Sequence, residues 1–219
     1  MDYEYLLNRD KSFINRYKLN RRSEEISKVI SKFSPQKKLS LLDIGSADGY
    51  LLSFLNDRLN LEFSVGIEPC VDCIKAKSFK NITLLAAAGE ALPFSDESFD
   101  AVVAASVIDH LKDVSEFLNE TRRVLRKDGL LVITAIIPFY DKLANMFGVD
   151  KGLHPHIKTY TLSELKEILL LHDFKVILAK RFALPSFGLI PFERNIELVL
   201  EKLRLSYLMF YSIVVGKRL

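Results

Sequence analysis

Two cysteines occur in the 219 residues, Cys70 and Cys73, in one C-x-x-C. No second pair follows, so the usual four-ligand zinc pattern is missing. A redox pair is the alternative, and two reduced thiols near a helix start are the expectation. No apolar run approaches the roughly 20 residues of a membrane helix. The longest, Leu130 to Phe139, includes a Thr and reads as a buried strand. The opening Met1-Asp2-Tyr3-Glu4 carries no apolar signal region, so the expected compartment is cytoplasmic. No acidic or histidine constellation stands at ligand spacing, so no metal is expected. Repeats and low-complexity tracts are absent. A net charge of +3 neither demands nucleic acid nor excludes it.

What is present is an ordinary globular composition, 49% apolar and 27% charged. It suffices for one sizeable domain. Residues 12 to 33 read as a helix, with Ile26, Val29, Ile30 and Phe33 in a 3.6-residue rhythm. Its other face carries Lys11, Arg16, Lys18, Arg21 and Arg22. A solvated face is the plain reading, and a lid over a cleft is the sharper one. Strands and helices then alternate. Strands are predicted at 38–44, 62–67, 82–85, 99–104, 130–137, 174–180 and 206–215. Helices are predicted at 49–57, 70–78, 113–125, from Thr161, and at 193–203. Asp113 with Glu116 and Thr161 with Glu164 supply helix-start signatures. Apolar strands without alternation predict a mostly parallel sheet covered on both faces. The fold class is therefore α/β, a Rossmann-like doubly wound sheet of about seven strands with an added amino-terminal helix. The expected organisation is a single domain over 1–219. It comprises a helical cap at 1–36, a ligand-binding core at 37–137, and inserted segments at 138–160 and 183–203.

Three features fall at the carboxyl ends of successive strands, where open α/β sheets bind ligands. The first is Asp43-x-Gly45-x-x-x-Gly49, a turn that presents backbone and a helix amino end. The second is Glu68, about 20 residues on, where a carboxylate suits a ribose diol. The third is Gly89-Glu90-Ala91-Leu92-Pro93-Phe94, followed by Ser95-Asp96-Glu97-Ser98-Phe99-Asp100. A dinucleotide fingerprint would need G-x-G-x-x-G, and here the series reads Gly45, Ala47, Tyr50. A P-loop would need Gly-Lys-Ser/Thr, which does not follow. A nucleoside without a pyrophosphate fits better.

These segments together resemble a class I S-adenosylmethionine-dependent methyltransferase, of the large group with an "LPF…sFD" segment. Leu42 to Gly49 resembles the first family motif, Val65 to Pro69 the second and Glu90 to Asp100 the third. Ser106-Val107-Ile108-Asp109-His110-Leu111 resembles the segment after the fourth strand, and Val124 to Val132 the turn into the fifth. The likeness runs from Leu39 to Ile137 and continues more weakly through His156 and Thr161 to Val176. It implies a seven-stranded sheet with the last strand antiparallel, and S-adenosyl-L-methionine as cofactor. Gly45, Ser46, Ala47 and Asp48 would hold the methionine end through backbone groups, with Asp43, which could simply brace the turn by bonding its N–H groups, and Gly49, which opens the helix, in the same cofactor site. Glu68, beside Pro69, would take the ribose. Gly89 and Glu90 would flank the adenine, and Ala88 and Ser106 are further candidates in the cofactor site. The chain departs from the family at Ala47, where a glycine is usual, and at Ala88, where an acid often bonds the adenine.

An activated methyl sulfonium needs alignment and exclusion of water more than a fixed base. His110 is the candidate base, against a structural reading as a packed or capping histidine. Tyr17, Arg21, Tyr140, His154 and His156 are candidates on the acceptor side. No Asn/Asp-Pro-Pro-Tyr/Phe element follows the fourth strand, which disfavours amino groups of nucleic-acid bases. A small-molecule, glycan or lipid-precursor acceptor is expected, partly apolar and anionic. The rival readings are a non-catalytic methyltransferase-like binding protein, motivated by Ala88, and an RNA methyltransferase, motivated by the basic first helix. Neither the acceptor nor the oligomeric state is readable from the residues.

Overall fold

A computed structural model describes residues 6, 9–34, 38–75, 79, 82–146, 156–185 and 191–219. In chain order the elements are α1 (Phe13–Phe33), β1 (Leu39–Ile44), α2 (Tyr50–Asn56), β2 (Leu61–Ile67), α3 (Val71–Lys75), β3 (Thr83–Leu85) and β4 (Phe99–Ala105). There follow α4 (Val114–Val124), β5 (Leu125–Ile136), α5 (Pro138–Met146), α6 (Leu162–Leu171), β6 (Phe174–Phe182), α7 (Glu193–Lys202) and β7 (Tyr211–Arg218). The seven strands form one sheet in the order β3-β2-β1-β4-β5-β7-β6. Strands β1 to β5 pair in parallel, and β7 runs antiparallel to both β5 and β6. Every residue of β1 is buried, as a central strand without alternation requires.

Two apolar layers flank the sheet. On one face Ile26, Val29 and Ile30 of α1 pack with Leu51, Leu52 and Leu55 of α2 against Leu41, Val103 and Val132. On the other, Phe117, Leu118 and Val124 of α4 and Leu165 and Leu169 of α6 pack against Leu42, Val102 and Ile133. Asp113 caps α4 by accepting the Glu116 N–H at 2.9 Å. Thr161 and Glu164 form a complete reciprocal box at the start of α6.

Among the boundaries that differ from the sequence reading, two stand out. Strand β5 starts at Leu125 rather than Leu130, because the chain leaves α4 directly into the sheet, with Leu125 opposite Phe99. The last strand runs from Tyr211 to Arg218, and Ser206–Leu208 is a short 3₁₀ turn. The run from Tyr207 to Tyr211 is apolar throughout, so periodicity alone does not mark its start. The helix predicted over 70–78 is described only as Val71–Lys75, and 76–78 lie outside the described residues. Cys70 and Cys73 are joined in a disulfide, contrary to the expected free thiols. The start of α3 brings their Cα atoms to 5.3 Å, within the range that a bridge spans.

Candidate active site

The carboxyl ends of β1, β2 and β4 lie side by side, with Ile44 opposite both Ile67 and Ala104. The chain turns sharply after Ile44. Gly45 has φ +73° and a Cβ there would stand 2.4 Å from Cγ2 of Val107, so only glycine fits. Gly49, at φ +80°, caps α2. Ala47 also takes a left-handed φ of 52°, where an alanine methyl costs energy that glycine avoids. Ser106 does the same at φ 57°, directly after β4. Two residues with left-handed backbone thus stand at the strand ends, and such strain is common at functional sites.

The turn's N–H groups are committed within the protein. Gly45 and Ser46 both donate to the carbonyl of Ile67, at 2.9 and 3.0 Å. Ala47 donates to Glu68 Oε2 at 3.1 Å, and Cys70 donates to Glu68 Oε1 at 3.0 Å. Glu68 therefore clamps the glycine turn to the start of α3, and it is almost fully buried. Asp43 is buried as well, and both its carboxylate oxygens lack a hydrogen-bond partner among the described residues. Burial first, and then the neighbouring charge of Glu68, holds the Asp43 carboxyl well above the ordinary carboxylate range; Arg22 opposes this. A cationic group beside these two acids would relieve both the burial and the repulsion between them.

A strap from the amino-terminal segment covers the turn. Arg9 makes a two-pronged ion pair with Asp48, at 2.7 and 3.1 Å, with both side chains buried. Leu6 packs on Ala47 and Cys73. Pairing of this kind removes Asp48 from the set of residues with an open carboxylate. Neither Leu6 nor Arg9 carried a signal in the sequence, because the contact joins residues 39 positions apart.

Part of the basic face of α1 is turned inward, which overturns the solvated-face reading for Arg21 and Arg22, whereas Lys11 and Arg16 are exposed. Arg21 is buried and donates to Glu197 of α7 at 2.7 Å. Arg22 donates to the Ser106 hydroxyl and lies over the Tyr211 ring, 5.5 Å from its centre. Arg21 is therefore a strut between α1 and α7. The motive for an RNA-binding face weakens by the same two residues. Tyr17 is half-buried near Glu193, and burial together with that acid raises its hydroxyl pKa.

In the segment after β3, Ala88 is exposed, Glu90 half-buried and Gly89 buried. A Cβ on Gly89 would meet Ile44 at 2.9 Å and Phe117 at 3.2 Å. The Leu92-Pro93-Phe94 segment is pinned from α4. Glu120 accepts the Leu92 N–H at 2.8 Å, and Arg123 donates to the carbonyls of Leu92 and Phe94 at 3.0 and 2.7 Å. Neither α4 residue stood out in the sequence. Pro69 is exposed at the outer edge of the turn after β2.

Beyond β4 and β5 lies a second cluster. His110, in the turn Ile108–His110, is exposed, and its ring centre is 4.8 Å from that of His156. His156 Nδ1 is 2.5 Å from Asp141 Oδ1 of α5. Asp109 is buried beside them, and burial pushes its carboxyl up to about 6 against the opposing charge of His156. The Asp109 carbonyl accepts the N–H of Ile157 at 2.8 Å, which fastens the returning chain to this turn. An open cavity of about 460 Å³ adjoins the cluster, lined by Asp141, Lys142, His156, Lys158, Thr161 and Glu164 among others. Tyr140 spends its hydroxyl on the Leu208 carbonyl at 2.7 Å and is not available to this cavity as a donor. His154 lies outside the described residues. No group of three or more metal-ligating side chains occurs among the described residues. No helix among them is long and apolar enough to cross a membrane.

Comparison with known proteins agrees with this layout. A family model described as a methyltransferase domain matches residues 42–133. The bovine mitochondrial ubiquinone biosynthesis O-methyltransferase is 30% identical over 169 residues, covering 67% of this chain and 45% of the relative. The malonyl-[acyl-carrier protein] O-methyltransferase 1 of Coxiella burnetii is 29% identical over 122 residues, covering 56% and 42%. Among solved structures, an S-adenosylmethionine-dependent methyltransferase from Thermotoga maritima superposes with a TM-score of 0.69 at 16% identity, covering 99% of this chain and 98% of that one. The chain spans under half the length of these two curated relatives. Residues 42–133 thus match a methyltransferase domain, on the fold of an S-adenosylmethionine-dependent methyltransferase of known structure.

Proposed function

We propose that this protein is an S-adenosylmethionine-dependent O-methyltransferase acting on a small, partly apolar, anionic acceptor, with a lipid precursor or an acyl-carrier-bound acid as the favoured classes. The observation that carries the cofactor assignment is the buried pair Asp43 and Glu68 at the ends of adjacent parallel strands, beside a glycine turn. The orphaned Asp43 carboxylate suits the α-ammonium of the methionine end. Glu68 suits the ribose hydroxyls, and the loop Ala88-Gly89-Glu90 forms the adenine wall. Gly45, Ser46, Ala47, Asp48 and Gly49 shape the turn, with Pro69 and Ser106 at its margins. When bound, S-adenosylmethionine supplies an electrophilic methyl group on a sulfonium. The protein's part is to hold an acceptor oxygen in line with it and to keep water out. Lys142 and Lys158, which share the lining of the acceptor cavity with Asp141 and Glu164, would meet the anionic part of the acceptor, and two of the matched relatives are named as O-methyltransferases. Titration calorimetry with S-adenosylhomocysteine tests the cofactor, and absence of heat at high micromolar concentration refutes it in favour of a non-catalytic binding protein. Transfer of a labelled methyl group to extract components then identifies the acceptor.

Asp43 makes a prediction with opposite signs for stability and binding. At pH well below 3.8 the group is protonated in both folded and unfolded chains. As pH rises, the unfolded chain ionises it freely and the folded chain resists, because the folded pKa is raised. Stability therefore falls with rising pH over that interval. Asp43→Asn removes this penalty, so the ligand-free variant should melt higher than the wild type at pH 7 to 8. It should also bind S-adenosylhomocysteine about 10-fold less tightly, by loss of one charged hydrogen bond. Thermal melts across pH, with and without the ligand, check both halves.

A further inference from the structure

Only two of the 219 residues are cysteines, and both stand beside the glycine turn. We propose that the Cys70–Cys73 disulfide is a thiol–disulfide exchange site for small thiols of the glutathione class, and that its redox state sets how firmly Glu68 holds that turn. The exchange site stands on its own geometry. Its bearing on cofactor affinity rests on the ribose role proposed above for Glu68.

Stability alone explains this bridge poorly. It joins residues three apart, and a cross-link stabilises least where the loop it closes is shortest. An exchange site needs one sulfur that a thiol can reach and a second that resolves the mixed disulfide. Cys70 is half-buried and directly precedes α3, whereas Cys73 lies within α3 and is fully buried. Access therefore directs attack to Cys70. The Cys73 N–H stands 3.2 Å from Cys70 Sγ, a donor placed to favour a thiolate at that sulfur once the bond is open.

Two routes tie the bridge to the glycine turn. The first is polar. The Cys70 N–H donates to Glu68 Oε1 at 3.0 Å, and Glu68 Oε2 accepts the Ala47 N–H at 3.1 Å. The second is apolar. Cys73 packs with Ala47 and with Leu6 of the amino-terminal strap, and it is the one buried residue of Val71–Lys75. The first turn is the costly part of a helix to form, and here the Cys73 anchor and the bridge secure it. Two thiols need more room than two bonded sulfurs. Cys73 is locked in a close-packed cluster, so the displacement on reduction falls on Cys70 and passes through its N–H to Glu68. The oxidised form is the one in which Glu68 is clamped on both sides.

In the reducing direction, the thiolate of a small thiol attacks Cys70 Sγ. The bond between the two cysteines breaks, and its electron pair leaves on Cys73, which takes up the proton that the attacking thiol released. A second small thiolate attacks the outer sulfur of the mixed disulfide and frees Cys70, which is protonated in turn. One protein disulfide and two small thiols thus give two protein thiols and one small disulfide, a two-electron exchange with no other reactant. Oxidation runs the same steps backwards, with Cys70 as the nucleophile.

The full chain serves for every test. Excess reduced glutathione should open the bridge in the folded protein, read by mass after alkylation of both cysteines, and oxidised glutathione should close it again. A bridge that yields only after unfolding is structural and overturns the proposal. Oxidised glutathione should add to Cys70 in reduced Cys73→Ala, whereas Cys73 in reduced Cys70→Ala should react about 10-fold more slowly or less. The opposite order overturns the assignment of Cys70 as the attacked sulfur. Amide hydrogen exchange at Ala47 and Cys70 should be about 10-fold faster in the reduced wild type than in the oxidised, with the amides of β1 unchanged. Equal exchange in the two forms overturns the link to Glu68. The reduced wild type should bind S-adenosylhomocysteine about 3- to 10-fold less tightly, as the loss of one hydrogen bond implies. Equal affinity overturns the bearing on the cofactor. If neither form binds that ligand, the cofactor reading itself fails, and alkylation and amide exchange still decide the exchange site.

Discussion

Replacing Glu68 with alanine is expected to weaken S-adenosylhomocysteine binding by about 100-fold, some 2.7 kcal/mol. Each hydrogen bond that a carboxylate accepts from a buried ligand is worth roughly 1.5–3 kcal/mol, and the two ribose hydroxyls would donate two. The side chain has a second duty. It accepts the N–H groups of Ala47 and Cys70, so its loss leaves both without that partner and loosens the glycine turn. The variant should therefore also unfold at lower denaturant. Glu68→Gln separates the two effects, because an amide oxygen still accepts one of these N–H groups but brings no charge. Calorimetry and chemical unfolding on both variants check the result, and unchanged affinity in Glu68→Ala would remove the ribose role.

Phe117→Ala is expected to cost about 3–5 kcal/mol of folding stability, the range for emptying a fully buried aromatic site. Phe117 on α4 is completely buried, in the layer that joins Leu42, Val102 and Leu118. It also lies against Gly89, where a Cβ would stand 3.2 Å from its ring. The cavity would thus open directly beneath the loop proposed to hold adenine. Affinity for S-adenosylhomocysteine should fall with stability, whereas affinity for a fragment lacking adenine should not. Urea unfolding measures the first effect and calorimetry the second. Phe117→Leu should recover most of the stability because it refills much of the volume.

The legible parts of this molecule are those that depend on neighbours in the chain. The apolar runs at Leu39–Ile44 and Leu130–Ile136 announce covered parallel strands. Asp113 and Thr161 announce helix starts, and both cap as expected. The glycine turn and Glu68 were recognisable from spacing, and the structure brings them into direct hydrogen-bond contact. Where local signals were ambiguous the reading slipped. The apolar stretch Tyr207 to Tyr211 reads wholly as strand, but its first part is a turn. Arg21 and Arg22 looked like part of a solvated stripe because their partners lie far along the chain. Glu197 is 176 positions from Arg21, and Ser106 is 84 from Arg22.

By itself, the sequence determined the sheet, its glycine corner and the methyltransferase family, since backbone conformation and short spacings follow from adjacent residues. Tertiary structure alone decided which charges are spent and which remain to act. Arg9 is taken up by Asp48 and Arg21 by Glu197, while Asp43 stays buried with no hydrogen-bond partner among the described residues. The same holds for His156 and Asp141. They stand 15 residues apart with no periodicity linking them, and only the packing of α5 and the returning chain over the ends of β4 and β5 makes them a pair.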